Sequence, residues 1–311
     1  MSFSLAVHGG AGSPPPGTLD PASEARRQSG LRRALETGAA ILEAGGAAMA
    51  AVVAAVESLE GDPVFNAGRG SVYAADRTQR MDASVMDGAT RRAGAICDVQ
   101  RIASPIRAAL AVAEHSPHVL LVGAGAESFA ARAGLALVDP AVFHDAARLR
   151  QLEDAMARGV IVLDHSASLP EEAGGTVGAV ARDASGHLAA ATSTGGMTGK
   201  APGRVGDSAV IGAGTWADDQ TCAISATGHG ERFIESHVAG RIACLIELAQ
   251  MTLENAVQRV VYQELPRCGG EGGVIAVDRF GNIAMPFNSG GMACGAIHVS
   301  GRMEVFGLSR S

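Results

Sequence analysis

The feature that most constrains the fold is a change of sequence pattern near the middle of the chain. The first half alternates short apolar runs with helical periodicities, among them a helix predicted over Ala22–Ala44. Asp164–Gly175 then shows no apolar periodicity, which is typical of an exposed linker. Strand patterns follow from Thr176, interrupted by helical patterns over Glu231–Gln250 and Leu253–Glu264. Strands on both sides of helices, with more helices before the linker, predict sheets sandwiched between helical layers in an α/β protein.

Composition narrows the architecture and the class of partner. The 311 residues include 41 glycines, and 47% of them are hydrophobic but only 4% aromatic. Small side chains let helices and sheets pack closely, so we expect one large layered domain over residues 1–311. The net charge of −7 and a sequence pI near 5.7 argue against a phosphate-binding surface, and hence against a nucleic acid partner.

The cysteines and the first residues bear on cellular location. The five cysteines form no CxxC pair, which predicts reduced thiols rather than a disulfide framework or a zinc site. The first residues lack the charged and apolar regions of a secretory signal. The longest charge-free apolar helix candidate, Ala44–Val56, has 13 residues and is too short to cross a bilayer. We therefore expect a cytoplasmic protein that does not contact a membrane.

The junction between the linker and the strand after it is the most informative position for function. Gly175 and Thr176 lead directly into the strand pattern Val177–Ala181. Taken alone, Thr176 is simply a good strand former at the start of a strand. A functional role for its hydroxyl therefore needs a second, independent observation.

The turn that follows supplies a partner for this threonine. Asp183–Gly186 is typical of a three-residue hairpin loop, in which a type I turn is closed by glycine in the left-handed region. If Asp183 pairs with His187, the register places Thr176 opposite Thr194, with both side chains on one face. A slip of one residue would place Ser193 there instead.

A threonine at the start of a chain carries its own base. A hydroxyl is a weak nucleophile that needs a nearby base, and a free α-amine has a pKa of about 7.7–8. Thr176 gains such an amine only if the Gly175–Thr176 peptide is cut. Its hydroxyl can attack the preceding carbonyl and form an ester that water hydrolyses, and glycine adopts the strained geometry of that attack at the least cost. The hypothesis is therefore self-cleavage that creates a threonine nucleophile.

Two later segments offer groups for a small acidic substrate. Arg204 supplies a planar guanidinium for a carboxylate, and Asp207 supplies a carboxylate for an ammonium, which is the pair that an amino acid head group needs. An ordinary surface ion pair is the alternative. Thr227–Glu231 follows a strand pattern and opens a helix, so its N–H groups and the threonine hydroxyl can form an oxyanion hole.

Eight segments, in order along nearly the whole chain, carry a family resemblance. They are His8–Gly12, Phe65–Gly68, Met81–Ala83, Met86–Gly88, Gly175–Gly178, Ala191–Gly196, Gly203–Asp207 and Thr227–Glu231. Together they resemble the plant-type (type III) L-asparaginases, also called isoaspartyl peptidases. The resemblance implies an N-terminal-nucleophile hydrolase fold, which is a four-layer αββα sandwich. It also implies maturation into an α subunit, residues 1–175, and a β subunit, residues 176–311.

The same resemblance implies an activity and a catalytic set. The activity is hydrolysis of β-aspartyl dipeptides and L-asparagine, with no cofactor for catalysis. Thr176 is then the nucleophile, and the hydroxyl of Thr194 supports it. Thr227 and Gly228 stabilise the oxyanion, and Asn66 lies near the nucleophile.

Recognition, a structural ion and assembly are implied as well. Arg204 would bind the substrate α-carboxylate, while Asp207 and the backbone at Gly230 would hold the α-amine. A structural sodium ion would be held by main-chain oxygens of Leu59, Glu60, Asp62, Phe65, Ala67 and Arg69. Carbonyl ligands suit such a hard cation. The resemblance further implies a dimer of αβ units.

Other interpretations remain open at this stage. A glycosylasparaginase acting on N-acetylglucosaminyl-asparagine shares the fold and the nucleophile, although it usually implies a secretory route. Val119–Ser128 has the strand, GxG turn and helix of a dinucleotide site, but serine stands where the third glycine belongs. His8–Gly10 suggests a serine esterase, but no GxSxG elbow follows. His115 and His118 suggest a metal site, but Pro117 lies between them and no carboxylate ligands are nearby. A non-catalytic binding module is the alternative if the chain never cleaves.

Overall fold

The structure, a computed structural model, describes residues 3–12, 20–158 and 175–308. Its α-helices are α1 (Pro21–Glu43), α2 (Ala48–Glu60), α3 (Pro105–His115), α4 (Gly123–Arg132), α5 (Ala146–Ala157), α6 (Gly230–Ser236), α7 (Val238–Ala249) and α8 (Leu253–Arg259). Its strands are β1 (Ser4–Gly12), β2 (Met81–Asp87), β3 (Ala93–Val99), β4 (Leu120–Val122), β5 (Val177–Arg182), β6 (Leu188–Thr194), β7 (Thr215–Ala217), β8 (Cys222–Gly228), β9 (Gly272–Asp278), β10 (Ile283–Ala284), β11 (Gly291–Ile297) and β12 (Met303–Phe306). The predicted linker lies outside the described residues except for Gly175, which is buried.

The described strands form two sheets that lie face to face. The larger has the order β12-β11-β1-β5-β6-β2-β3-β4, and the smaller has the order β10-β9-β8-β7. Helices α1 to α3 share an apolar core with the larger sheet, and α6 to α8 share one with the smaller sheet. A third apolar cluster joins residues of both sheets. The predicted αββα sandwich is therefore confirmed.

Alternation along β8 shows how this layering arises from the sequence. Ile224 and Ala226 pack into the core under the helices, whereas Ala223 packs against the other sheet. Ser225 and Thr227 point the same way as Ala223 and hydrogen-bond to β1. Because successive side chains of a strand face opposite sides, every second residue of β8 enters the space between the sheets. That space is apolar at one end of the strand and polar at the other.

The hairpin that carries Thr176 has the predicted register. Val177 of β5 lies opposite Ser193 of β6, and the Asp183 N–H donates to the His187 carbonyl at 3.0 Å. The turn is closed by Gly186, whose φ of 91° lies in the left-handed region that glycine adopts most easily. The alternative register, in which Ser193 would lie opposite Thr176, is therefore excluded.

Two features of the second half differ from the sequence-based prediction. The helix predicted over Glu231–Gln250 is wrong as one element, because it breaks at His237, which has a φ of 51°. The first N–H groups of α7 donate to the Gly212 and Ala213 carbonyls, so tertiary bonds replace a continuous helix ladder. Strands β7, β11 and β12 were not predicted. β11 consists mainly of small residues with little preference for strands, and it is placed by pairing with β1 and β12.

Candidate active site

The two threonines that the hairpin brings together share a hydrogen bond. The Thr176 hydroxyl lies 3.1 Å from the Thr194 hydroxyl, to which it donates. Thr194 is 2% exposed and also accepts from the Gly196 N–H at 2.9 Å. The Thr194 hydroxyl is therefore fixed by its neighbours, and it can hold the Thr176 side chain in one orientation.

This pair opens onto a small cavity between the two sheets. The cavity is lined by Asn66, Thr176, Thr194, Gly196, Met197, Arg204, Gly206, Asp207, Ser208 and Gly228. Six of the residues proposed from the sequence thus meet around one space. The other two do not line the cavity, but Thr227 precedes the lining residue Gly228, and Gly230 lies against Arg204 and Asp207. Met197 and Ser208 also line the cavity, and no motif in the sequence pointed to either of them.

Asn66 supports the loop that follows Thr194. Its amide nitrogen donates to the Gly196 carbonyl at 2.7 Å, and its amide oxygen accepts from the Val72 N–H at 3.0 Å. A Cβ on Gly195 would overlap that amide oxygen, so the loop and the asparagine pack without a gap. Asn66 therefore lies near Thr176, the nucleophile that the resemblance implied, and it shapes the cavity wall through the backbone at Gly195 and Gly196.

Thr227 and Gly228 end β8, and Gly228 lines the cavity. The Thr227 hydroxyl is fully buried and accepts from the Ala11 N–H at 3.2 Å. A hydroxyl has one proton, and accepting a bond leaves that proton available to a further acceptor. The Thr227 hydroxyl and the backbone at Gly228 are thus donors of the kind that stabilises a developing oxyanion.

Arg204 is already held by a carboxylate within the protein. Its Nε and Nη2 each donate to one carboxylate oxygen of Glu231, both at 2.9 Å. These bonds hold the pKa of Glu231 below its ordinary value. Glu231 belongs to the Thr227–Glu231 segment of the sequence analysis, which did not predict its pairing with Arg204. One edge of the guanidinium is therefore occupied, and Nη1 on the other edge is what an incoming carboxylate can meet.

Asp207 is a buried carboxylate aimed at the same space. Its side chain is 4% exposed, and its Oδ2 has no hydrogen-bond partner among the residues that the structure describes. Burial raises its pKa to about 7, against the opposing effect of the positive charge on Arg204. A Cβ on Gly230 would lie 2.9 Å from both Arg204 Nη2 and Asp207 Oδ1, so a larger residue there would displace these two groups. The arrangement suits a cation that would pair with the carboxylate.

The remaining motifs do not build competing sites. β4 and α4 have the strand and helix of a dinucleotide motif, but β4 is three residues long and lies at the edge of the sheet. Within residues 3–12, 20–158 and 175–308, no three His, Cys, Asp or Glu side chains group as metal ligands. In the same residues, no helix is both long and apolar enough to span a bilayer.

Comparison with known proteins agrees with this arrangement. A family model described as Asparaginase matches residues 1–306. The chain is 50% identical over 290 residues to an isoaspartyl peptidase of Salmonella typhimurium, with 93% of each chain covered. It is 43% identical over 296 residues to a plant-type L-asparaginase of Pyrobaculum calidifontis, covering 94% of this chain and 95% of that one. A putative isoaspartyl peptidase/L-asparaginase of Dictyostelium discoideum is 40% identical over 329 residues, with 96% and 94% covered. The chain therefore belongs to the asparaginase family and has its N-terminal-nucleophile hydrolase fold.

Proposed function

We propose that this protein is a self-cleaving threonine amidohydrolase that hydrolyses β-aspartyl dipeptides and L-asparagine. The observation that carries the proposal is the Thr176–Thr194 hydrogen bond of 3.1 Å, at the wall of a cavity that Arg204 and Asp207 also line. A nucleophile, its supporting hydroxyl and a pair of groups for an amino acid head group thus share one space. The names of the relatives support the same substrate class.

Maturation begins at the Gly175–Thr176 peptide. The Thr176 hydroxyl attacks the Gly175 carbonyl carbon, the C–N bond breaks, and the acyl group moves from nitrogen to oxygen. Water then hydrolyses the resulting ester, which leaves a carboxylate on Gly175 and a free α-amine and hydroxyl on Thr176. The products are an α subunit, residues 1–175, and a β subunit, residues 176–311.

Hydrolysis then uses the new α-amine as the base. The amine takes the proton of the Thr176 hydroxyl while the oxygen attacks the substrate carbonyl. Thr227 and the backbone at Gly228 donate to the oxyanion. The leaving amine takes the proton from the α-ammonium and departs, and water hydrolyses the acyl ester to regenerate the hydroxyl.

The head-group site selects the bond that is cut. Arg204 binds the substrate α-carboxylate, and Asp207 with the backbone at Gly230 binds its α-ammonium. With both groups held, the β-carbonyl is the carbon that faces Thr176. An ordinary α-peptide has no free α-carboxylate at that residue, so its bond is excluded.

A substrate panel on matured enzyme tests this proposal. We expect kcat/KM to be highest for β-Asp-Leu, lower for L-asparagine and negligible for α-Asp-Leu. Comparable hydrolysis of α-Asp-Leu would overturn the binding scheme. A clear preference for N-acetylglucosaminyl-asparagine would instead identify a glycosylasparaginase, which the named relatives do not favour.

We further propose a structural sodium ion in the loop after α2. Its ligands are main-chain oxygens of Leu59, Glu60, Asp62, Phe65, Ala67 and Arg69. The loop supports this donor set, because a Cβ on Gly68 would lie 2.5 Å from the Glu60 oxygen and one on Gly70 would lie 2.0 Å from the Phe65 oxygen. Carbonyls thus converge on a tight turn of small residues. Melting in sodium chloride against tetramethylammonium chloride at equal ionic strength tests it, and an equal Tm would contradict the site.

Assembly and location complete the proposal. We infer a dimer of αβ units, which light scattering on the matured protein tests, since a mass of one αβ unit would contradict it. We also infer a cytoplasmic protein, which is supported by the five cysteines, none of which forms a disulfide in the described residues. Cell fractionation tests that location.

A further inference from the structure

His8 lies beside the nucleophile, yet the proposed chemistry gives it no role. Its side chain is fully buried between the two sheets and does not line the cavity. Its Nδ1 lies 2.9 Å from the Thr176 carbonyl oxygen, and its Nε2 lies 2.9 Å from the Ser225 hydroxyl. One imidazole thus bridges the residue that attacks and a strand of the other sheet.

The partners of His8 determine which of its nitrogens carries the proton. A carbonyl oxygen can only accept, so Nδ1 carries the proton and donates it to Thr176. In the neutral ring Nε2 is then the acceptor, and the Ser225 hydroxyl donates to it. Burial lowers the pKa of His8 to about 3, although the bond to Thr176 acts in the opposite direction. The ring therefore stays neutral and keeps one orientation at working pH.

The bond to His8 also orders a chain of hydroxyls behind it. Because Ser225 gives its proton to His8, it accepts from Thr192 at 2.7 Å. Thr192 in turn accepts from Thr215 at 2.6 Å. All three hydroxyl residues are fully buried. The protons thus point in one direction, from Thr215 through Thr192 and Ser225 to His8, and the chain ends at the Thr176 carbonyl.

This chain of hydrogen bonds holds Thr176 beyond the end of the β1–β5 ladder. The ladder between β1 and β5 ends at the pair of His8 and Gly178, and Thr176 lies beyond it. A Cβ on Gly178 would overlap the Ser225 hydroxyl and lie 2.5 Å from His8 Nε2, so this strand position leaves room for the bridge only as glycine. Cleavage frees the chain at Thr176, and the His8 bond to its carbonyl then restrains the new end.

The same chain of hydrogen bonds links the nucleophile to the oxyanion donors. Ser225 lies two residues before Thr227 on β8, and both side chains face the larger sheet. A bond that fixes Ser225 against His8 therefore also fixes the distance between Thr176 and the end of β8. Arg204 and Asp207 take no part in this chain.

We propose that His8 is a positioning residue that aligns Thr176 with the Thr227–Gly228 oxyanion donors. The inference rests on the proposed function, since it assigns His8 a part in that reaction. Misplacement of reacting groups by about 1 Å can cost on the order of 100-fold in rate. Loss of the bridge should therefore lower kcat, while KM should hold because the head-group contacts are untouched.

Three variants test the role of His8, with kcat expressed per matured chain. His8→Phe keeps a ring but removes both bonds, and we expect kcat to fall about tenfold or more with KM within about twofold. His8→Asn places an amide N–H where Nδ1 stands but cannot reach Ser225, so we expect its kcat to lie between those of His8→Phe and wild type. Ser4→Ala is the matched control, because Ser4 is equally buried on β1 and its hydroxyl bonds the Gly281 carbonyl at 2.7 Å, away from the cavity.

The outcomes separate this inference from the proposed function. Wild-type protein that hydrolyses no β-aspartyl substrate would contradict the function itself. Active wild type with an unchanged kcat in His8→Phe would overturn the positioning role alone, as would an equal loss in His8→Asn. If His8→Phe does not fold, Ser225→Ala breaks the chain from the other side and leaves the ring in place. An unchanged kcat in that variant would also overturn the role.

Discussion

The two walls of the cavity are held in different ways. What we call the nucleophile wall comprises the lining residues Thr176 and Thr194 together with Thr227, which precedes the lining residue Gly228. These are neutral hydroxyls at the ends of strands, and each makes a hydrogen bond. What we call the recognition wall comprises the lining residues Arg204 and Asp207 together with Glu231, which pairs with Arg204. These are charges on a loop and at the start of α6. There Arg204 is paired, while Asp207 Oδ2 has no partner among the described residues.

This difference separates the expected effects of changes on the two walls. Burying a hydroxyl that is hydrogen-bonded costs little, so the nucleophile wall is stable as it stands. Burying a carboxylate without a partner is costly, which is why the pKa of Asp207 is raised to about 7. We therefore expect the nucleophile wall to govern self-cleavage and kcat, and the recognition wall to govern KM and its dependence on pH.

The largest expected effect follows Thr176→Ala on the nucleophile wall. Without the hydroxyl neither cleavage nor hydrolysis can begin, so turnover should fall by about 10⁴-fold or more. Stability should change by only about 1 kcal/mol, since one hydroxyl bond is lost. A denaturing gel should show one chain of 31.4 kDa. For wild type, scaling that mass by 175 and 136 of 311 residues gives about 18 and 14 kDa.

Thr176→Ser is the control for that change, because it keeps a hydroxyl at the same position. It should still cleave and retain part of the turnover. N-terminal sequencing of the smaller wild-type fragment should begin at residue 176. Wild-type protein that stays intact and is nevertheless fully active would rule out the proposed scheme.

The recognition wall should respond to Arg204→Lys through KM. Lysine keeps the positive charge but loses the planar fork, so it cannot bond Glu231 on one edge and a substrate carboxylate on the other. Loss of one charge-assisted bond of about 2 kcal/mol corresponds to a rise in KM of about 30-fold. Steady-state kinetics with β-Asp-Leu measure it. A fall in kcat with an unchanged KM would mean that the two walls are not separable in this way.

Thr194→Val removes the hydroxyl that supports the nucleophile. The substitution keeps the branched shape, so β6 should form, but the Thr176 hydroxyl and the Gly196 N–H each lose a partner. We expect kcat to fall by ~10–100-fold, equivalent to ~1–3 kcal/mol, with KM nearly unchanged. The assay uses matured protein, so slower cleavage does not distort kcat. Equal turnover would show that the 3.1 Å contact does not support the reaction.

The nucleophile wall is also the part that the sequence predicted best. The turn Asp183–Gly186 fixes the hairpin register, and that register alone places Thr176 opposite Thr194. The prediction is confirmed because turn chemistry and strand alternation are local. The layered fold could be predicted for a similar reason, since its helices and most of its strands have clear periodicity.

The Arg204–Glu231 pairing and the His8 bridge could not be derived in this way. The Arg204–Glu231 pair joins residues 27 positions apart, and the His8–Ser225 bond spans 217 positions. Such contacts depend on how the two sheets pack, which no local pattern specifies. Strand β11 was not predicted for a related reason. Its small residues have little preference for strands, and pairing with β1 and β12 places them in the sheet.

The raised pKa of Asp207 predicts how substrate binding depends on pH. The substrate ammonium needs the carboxylate, so KM should rise about tenfold per pH unit below pH 7. Because kcat reports the bound complex, in which the substrate ammonium keeps Asp207 ionised, kcat should not change with the titration of Asp207. In Asp207→Asn, KM should be high and independent of this titration. A KM that is flat from pH 8 to 5 in wild type would contradict the assignment.

The same pKa has a consequence for stability without substrate. The folded value of about 7 exceeds the ordinary value of 3.8, so the folded state binds the proton more tightly than the unfolded chain. Ionised Asp207 therefore destabilises the fold above about pH 7, and this cost is lost as the pH falls toward 4. Burial of Glu60 raises its pKa to about 7 and acts in the same direction. The Tm of the wild type should therefore rise as the pH falls from 8 to 6, and Asp207→Asn should make that rise smaller.

The smallest effect is expected at Glu231, where two contributions oppose each other. Its carboxylate fixes the Arg204 fork through two bonds of 2.9 Å, which favours binding because the guanidinium is already oriented. Its negative charge also repels the substrate carboxylate, but the side chain is 43% exposed and solvent screens that repulsion.

Glu231→Gln removes the charge and keeps one acceptor, so we expect KM to change by no more than about threefold. Glu231→Ala removes the acceptor as well and should raise KM by about tenfold. In both variants kcat should remain close to wild type, since neither touches the hydroxyls around Thr176. If Glu231→Gln raised KM as much as Glu231→Ala, the negative charge of Glu231, rather than its hydrogen-bond acceptors, would be what holds Arg204 in place.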